Sequence, residues 1–463
     1  IQHHYDLKAI LLVGKGREYR DIRKHLVSNN VNSEENLPSL IPTWGYPGSD
    51  AMLVSSFENN LPWVSFGRIP AVLPEEITLF LKKVILFEKK SEIEAGWVKN
   101  VIQLGGGTYE PEKKYIREVL ENFEIILDQL PWSPKTISFF KEKDTPVFIP
   151  YSRQFFDEVN TGVGLIIFLG HSTAGTFDFN IDNPGLYENG FKQPLFLSLG
   201  CYAGNHFTAF RSQGERFIFY PEGGAIAFAA TRGIGFLHLL AEMGRVIIEG
   251  MKGESGFPSW GTVIHKGILR LMKSNHLPQY AMAQQLTFQG DPVVCLPVPA
   301  SPKPAFLQKT LVISPHPVLV TADSFLLEWE MLHLGIEPLE SLKLEISLKG
   351  SEEFTLFNDF IYPISGENKI RIKCPVPPGI NKGIFRLCLK YVQQSWKSDN
   401  GKLQTENLNV NYTHEDGLEG LPVTFENRLF IPLSPIDNGL LKEDKTFALF
   451  RTPEDLSEQE IQI

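Results

Sequence analysis

Two residues in this sequence have the types and surroundings for covalent catalysis. His171 follows Gly170 at the end of the apolar run 163–169, and Cys201 follows Gly200 at the end of the run 194–199. A cysteine becomes a nucleophile when a neighbouring imidazole takes its proton, and the thiolate so formed can attack a carbonyl carbon. The two residues need not be close in sequence. They need only end adjacent strands at the same sheet edge. Gly170 and Gly200 permit tight turns there, and Ala203 and Gly204 leave space beside the sulfur. The backbone N–H groups of Ser172 and Cys201 are then placed to receive a developing oxyanion. A lone cysteine after a strand is more often a core thiol and a lone histidine more often a surface residue, so the pair stands or falls on where the two strands end. His206, five residues past Cys201, is a weaker rival base. Asp178 and Asp182 read first as turn or surface residues, and Glu215 as a helix N-terminal acid.

The elements that must position the pair are legible as an α/β pattern over residues 1–302. Short apolar runs alternate with amphipathic stretches, the mark of a mainly parallel sheet flanked by helices. Runs 9–13, 63–66 and 101–104 each end in glycine-containing turns, and 75–90 and 112–123 have helical spacing. Runs 163–169, 194–199 and 225–230 are almost continuously apolar, as strands buried on both faces should be. Ligands of open α/β sheets sit at the carboxyl ends of the strands, which is where the His and the Cys fall. The expected organisation is an N-terminal α/β subdomain over 1–95 and a catalytic subdomain over 96–302. Near Lys303-Pro304 the pattern changes to alternation, as in Leu342-Lys343-Leu344-Glu345-Ile346, which predicts an immunoglobulin-like β-sandwich over 303–413. A C-terminal extension over 414–463 contains one strand pair near Val423 and Phe447 and a frayed acidic end.

Composition narrows the function. Among 463 residues, Lys+Arg 44 against Asp+Glu 54 gives a net charge of -10, which argues against nucleic acid as a partner. No apolar run approaches the ~18 residues of a membrane-spanning helix. The chain starts at Ile1 without Met or signal peptide, and reads as a mature or trimmed end. Four cysteines are too few for a disulfide scaffold; Cys374 and Cys388 flank a predicted hairpin turn and are either a cross-strand disulfide or two core thiols. No cluster has zinc spacing, and Gly105-Gly106-Gly107 is not a dinucleotide fingerprint. Trp329, Tyr391 and Trp396 could make an aromatic platform for carbohydrate, but core packing explains them better.

Six stretches, in order, extend the reading: Leu11-Leu12-Val13-Gly14, Phe66-Gly67-Arg68-Ile69-Pro70 with Glu75-Glu76 and a helix to Glu88, Leu169-Gly170-His171-Ser172, the segment 194–204, the segment 223–229, and Phe288-Gln289-Gly290-Asp291-Pro292. Together they resemble the motifs of gingipain-type cysteine peptidases, family C25 of the caspase-like clan, over about residues 5–298. The segment 170–207 is most similar to the PorU-like sortases of the type IX secretion system. The resemblance implies a caspase-like fold, Cys201 and His171 as catalytic residues, and a protein or peptide substrate. It also implies secretion-system partners, no required cofactor, and a place outside a Gram-negative cell or on its outer membrane. A structural calcium site is compatible with it, with Asp50, Asp178 and Asp291 as candidate ligands. Two departures stand out. Ser172 replaces the glycine that usually follows the histidine. Gly105 stands where arginine-specific members carry a Glu, so the His-orienting acid is open and Asp178 is its candidate. Glu110 and Glu112 are all that occupy the region of the basic-side-chain pocket. Leu169, Leu199 and Leu237 fall at expected pocket walls and favour an apolar or small side chain. The competing reading is a peptidase fold kept as a non-catalytic scaffold.

Overall fold

In a computed structural model, the structure describes residues 7–19, 39–91, 96–141, 149–253, 257–298, 304–333, 335, 342–349, 353–361, 367–380, 383–393, 395–399, 402–406, 421–426, 429–432 and 447–450. The chain divides into two compact units, with the boundary at Pro302/Lys303. The acidic end 451–463 lies outside the described residues.

The first unit runs β1 Ala9–Val13, α1 Asp50–Leu53, β2 Ser65–Ile69, α2 Pro74–Ser91, β3 Asn100–Gly105, α3 Glu110–Asp128, β4 Lys135–Phe140, α4 Ile149–Thr161, β5 Leu165–Leu169, β6 Leu195–Leu199, α5 Gln213–Ile218, β7 Ala227–Thr231, α6 Leu237–Glu249, α7 Trp260–Met272, α8 Leu277–Gln284 and β8 Leu286–Gln289. One eight-stranded sheet holds them in the order β1-β2-β8-β7-β6-β5-β3-β4. Every neighbouring pair is parallel except β7 with β8. The stretches read as two subdomains, 1–95 and 96–302, therefore share one sheet, joined by the single bridge of Arg68 opposite Gln289.

The continuous apolar runs are the central strands, and all residues of β5, β6 and β7 are buried. Helix α3 turns Ile116, Val119, Leu120, Phe123 and Leu127 inward, the helical spacing of one face. Burying a side chain such as Phe123 is worth about 1.5–3 kcal/mol. Phe123 meets α6 at Gly244, where a Cβ would lie 2.6 Å from the Phe123 ring and 2.5 Å from Leu199 Cδ1. An alanine there would push α6 off the strand that delivers Cys201.

The second unit contains β9 Pro304–Ser314, β10 Val318–Leu319, β11 Ser324–His333, β12 Leu342–Lys349, β13 Glu353–Ile361, β14 Glu367–Pro375, β15 Gly383–Gln393, β16 Ser395–Asp399, β17 Lys402–Glu406, β18 Leu421–Glu426, β19 Leu429–Pro432 and β20 Phe447–Phe450. A five-stranded sheet has the order β10-β18-β15-β12-β13, and a three-stranded sheet the order β14-β11-β9. Alternate residues of β11 (Phe325, Leu327, Trp329, Met331) and β12 (Leu342, Leu344, Ile346, Leu348) enter one apolar cluster, so the two sheets share a core. Trp329 is fully buried there and offers no surface to a sugar.

Two expectations need correcting. The Val423 strand is not half of a separate terminal pair: β18 lies between β10 and β15, pairing with Gly383–Leu387 along the edge of β15 opposite β12. The strand at Phe447 pairs instead with Leu429–Pro432. Cys374 and Cys388 do not face each other across a hairpin, because β14 and β15 belong to different sheets. Cys374 is a free, buried thiol whose pKa burial pushes up to about 12.

Candidate active site

β5 and β6 are adjacent and parallel, with Leu169 opposite Leu199. The next two residues of each strand are therefore Gly170-His171 and Gly200-Cys201, side by side at the carboxyl edge. β3 ends at the same level, with Gly105 opposite Leu169. The turn after β3 leads into α3, whose first turn carries Glu112.

Glu112 is the acid that reaches the histidine ring. His171 Nε2 lies 3.0 Å from Glu112 Oε1 and 3.1 Å from Oε2. The carboxylate is itself fixed, because Thr108 N–H donates to Oε2 at 2.7 Å. Its place in the first turn of α3 also suits a negative charge. The His171 side chain is 56% exposed and that of Glu112 10%, so the ring faces outward from a partly buried anchor.

Asp178 acts on the backbone of the turn and not on the ring. Its N–H donates to His171 O at 2.9 Å, and its Oδ2 accepts from Gly107 N–H at 2.7 Å. A Cβ on Gly106 would lie 2.2 Å from Asp178 Oδ1, so only glycine leaves room for this carboxylate under the β3 turn. Oδ1 is buried without a hydrogen-bond partner, and burial raises the Asp178 pKa. Thr173 N–H to Thr176 O at 2.8 Å closes the turn beyond His171. Asp182 holds that turn by accepting from Phe177 N–H at 2.7 Å.

Ser172 has a use that its type did not announce. Its hydroxyl donates to Cys201 O at 2.8 Å and so ties the histidine turn to the cysteine turn. A Cβ on Gly200 would come within 2.2 Å of that hydroxyl oxygen. Among the described residues, neither Ser172 N–H nor Cys201 N–H has an acceptor, which leaves both free for an oxyanion. Cys201 Sγ accepts from Gly235 N–H at 3.3 Å, in the segment after β7. Tyr202, at φ 61, turns the chain sharply just past the sulfur.

Leu169 and Leu199 do not line a pocket: both are fully buried strand residues in the core, with no surface for a substrate. Leu237, at the start of α6, is only partly buried. Exposed apolar side chains next in sequence to the groups at the sulfur are Ile234 and Phe236, 56% and 59% exposed, on either side of Gly235, and Tyr202, 37% exposed, after Cys201. Continuous strand runs could not reveal Ile234 and Phe236, since they lie in the irregular segment between β7 and α6. His206 is fully buried, 3.4 Å from Asp50 by its Nε2, and is no base for Cys201. Glu215 caps α5 with Ser212 and pairs with buried Lys15 at 2.5 Å. Asp50 is paired with Arg68, Asp178 with the β3 turn, and Asp291 caps Val293 N–H at 3.0 Å; the three are not gathered into one metal site. Among the described residues, no three His, Cys, Asp or Glu side chains converge on a metal position.

Comparison with known proteins bears on the fold and the family. The fold is that of the Arg-specific cysteine proteinase gingipain R (RgpB): TM-score 0.50 and 15% identity, covering 91% of this chain and 84% of that one. The complex of Porphyromonas gingivalis RgpB pro- and mature domains is similar, with TM-score 0.49 and 15% identity over 91% of this chain and 86% of that one. Dimeric latent PorU from Porphyromonas gingivalis matches with TM-score 0.28 and 11% identity, over 84% of this chain and 35% of that one. No curated protein sequence matches. The sequence model of peptidase family C25 covers residues 1–297, and the chain belongs to that family of cysteine peptidases.

Proposed function

We propose that the protein cleaves or transfers peptide bonds through Cys201 and His171, with Glu112 orienting the imidazole. The observation that carries this reading is the convergence at one sheet edge of Cys201, His171 and a carboxylate on His171 Nε2. With Nε2 engaged by Glu112, Nδ1 is the ring nitrogen left for the thiol. His171 takes the Cys201 proton as Sγ bonds to the carbonyl carbon. Ser172 and Cys201 N–H groups receive the oxyanion. The C–N bond then breaks, His171 hands the proton to the leaving amine, and a thioester remains. Water resolves it to an acid; a second amine resolves it to a new amide.

Ile234 and Phe236 are exposed on either side of Gly235, whose N–H meets the sulfur, and Glu112 is committed to His171, so the reading favours apolar residues on the acyl side over arginine. The sequence motifs around His171 and Cys201 support the narrower sortase-like reading, with an amine acceptor and secretion partners at the cell surface. No helix among the described residues is long and apolar enough to cross a membrane.

The test is a peptide mixture varied at the residue before the scissile bond, incubated with and without glycinamide and read by mass spectrometry. Cleavage after apolar residues that vanishes in Cys201→Ala supports the peptidase reading, and glycinamide adducts support transpeptidation. Cleavage that survives in Cys201→Ala contradicts the assignment. No turnover on any peptide leaves the scaffold reading in its place.

A further inference from the structure

We propose that the backbone around Lys83 forms a monovalent-cation site, which the protein fills with its own tethered ammonium. Lys83 lies in α2 and is 3% exposed. Five carbonyl oxygens converge on its Nζ: Ile218 at 2.8 Å, Tyr220 and Gly223 at 3.0 Å, Ala225 at 3.3 Å and Phe217 at 3.4 Å. An ammonium has three protons to direct, so five oxygens form a charge–dipole shell and not a set of paired hydrogen bonds. Shells of backbone carbonyls that replace water are how proteins hold weakly hydrated monovalent ions. Among the described residues, no carboxylate pairs with Lys83, and the positive charge is met by carbonyl dipoles alone.

The cage is built independently of the lysine. Phe217 and Ile218 end α5, where helix carbonyls run out of intrahelical partners. Gly224, at φ +84, folds the chain back. Asn189 clamps it on both sides, donating to Gly224 O at 3.0 Å and accepting from Gly224 N–H at 2.9 Å. The cage residues are 134–142 positions from Lys83 in sequence, and they lead directly into β7. The ammonium thus ties α2 to the segment that sets the approach of β7. Residues just beyond β7 hold the Cys201 sulfur. This assignment does not depend on the catalytic reading.

Burial pushes the Lys83 pKa down to about 7, so the test is run at about pH 6, where the group is charged. The full chain, Lys83→Ala and Lys83→Met are melted at constant ionic strength in potassium, ammonium, lithium and tetramethylammonium chlorides. The account expects Lys83→Ala to melt several degrees below wild type, and to regain at least half of the loss, saturably, in potassium or ammonium only. Lys83→Met, whose unbranched stem replaces that of the lysine without a charge, should stay low in every salt. Equal recovery of Lys83→Ala in all four salts, or in none, overturns the proposal. So does Lys83→Met melting with wild type. If Lys83→Ala does not accumulate as folded protein, its refolding yield from urea in potassium against lithium gives the same answer: equal yields overturn the site.

Discussion

Glu112–His171 and Asp50–Arg68 are both contacts between an acid and a basic group far apart in the chain, and they occupy opposite environments. The first has a His171 side chain 56% exposed; in the second the Arg68 and Asp50 side chains are 0% and 2% exposed. Arg68 grips Asp50 with two bonds of 2.7 Å, and gives further protons to Gly14 O at 2.8 Å and Pro42 O at 3.2 Å. That saturation is what lets two charges stay out of water. Its effect is to fix β2 against α1 and the turn after β1. The exposed pair gains little from Coulomb attraction, because water screens it. What it supplies is direction, holding one ring nitrogen so that the other is presented. One pair stabilises the unit, and the other, on the proposed function, orients its chemistry.

Separating the two roles gives a graded set of outcomes. Arg68→Met removes the bidentate partner of Asp50 and leaves the buried carboxylate with His206 at 3.4 Å and the Thr43 hydroxyl at 3.5 Å, at a cost of about 3 kcal/mol. Calorimetry should show the first unit melting roughly 10 °C lower, and a variant melting with wild type would remove the structural half of the comparison. Glu112→Gln should leave the melting temperature unchanged, while kcat/KM on an apolar peptide falls about 10²-fold, or ~2.7 kcal/mol of transition-state stabilisation. A matching loss of stability would make Glu112 a structural residue. Ser172→Ala removes the link between the histidine turn and the cysteine turn; a hydrogen bond of this kind is worth about 1 kcal/mol. Activity should drop several-fold, read by the same assay.

Asp50 and Asp178 also predict opposite pH dependences. Arg68 holds Asp50 well below the usual carboxylate range, so its contribution is fully present above ~4 and is lost as pH falls further. Asp178 is shifted the other way by burial. Its unfolded form ionises first, so stability is lost as pH rises from ~4 through the raised folded value. Asp178→Asn should therefore give the smallest effect, a slight rise in melting temperature at neutral pH and none in acid. A fall at neutral pH would mean that the Asp178 charge supports the histidine turn.

The sequence was most informative where burial dictated residue type. Three continuous apolar runs named β5, β6 and β7, and the Gly-His and Gly-Cys steps placed His171 and Cys201 at one edge. The family resemblance misled at Leu169 and Leu199: a strand buried on both faces has no wall to offer a pocket. Glu112 was hidden for a different reason. Its contact joins the turn after β3 to the turn after β5, a neighbour relation set by sheet order and not by chain order. An acid in the first turn of a helix that follows a Gly-Gly-Gly strand end was the available sign. Cys374 and Cys388 show the converse, since closeness in sequence concealed a change of sheet. Ser172 looked like a departure from the family pattern, and its hydroxyl proves to join the two turns it separates in sequence.

The most direct test of the central claim is the alkylation rate of Cys201 by iodoacetamide at about pH 5.5, where an ordinary thiol of pKa ~8.5 is almost wholly protonated. It would be read by peptide mass spectrometry in wild type, Glu112→Gln and His171→Ala. The account predicts fast labelling in wild type, slower labelling in Glu112→Gln and the slowest in His171→Ala. Equal, slow labelling in all three, with Cys201 still reachable by a small neutral disulfide at alkaline pH, would contradict it.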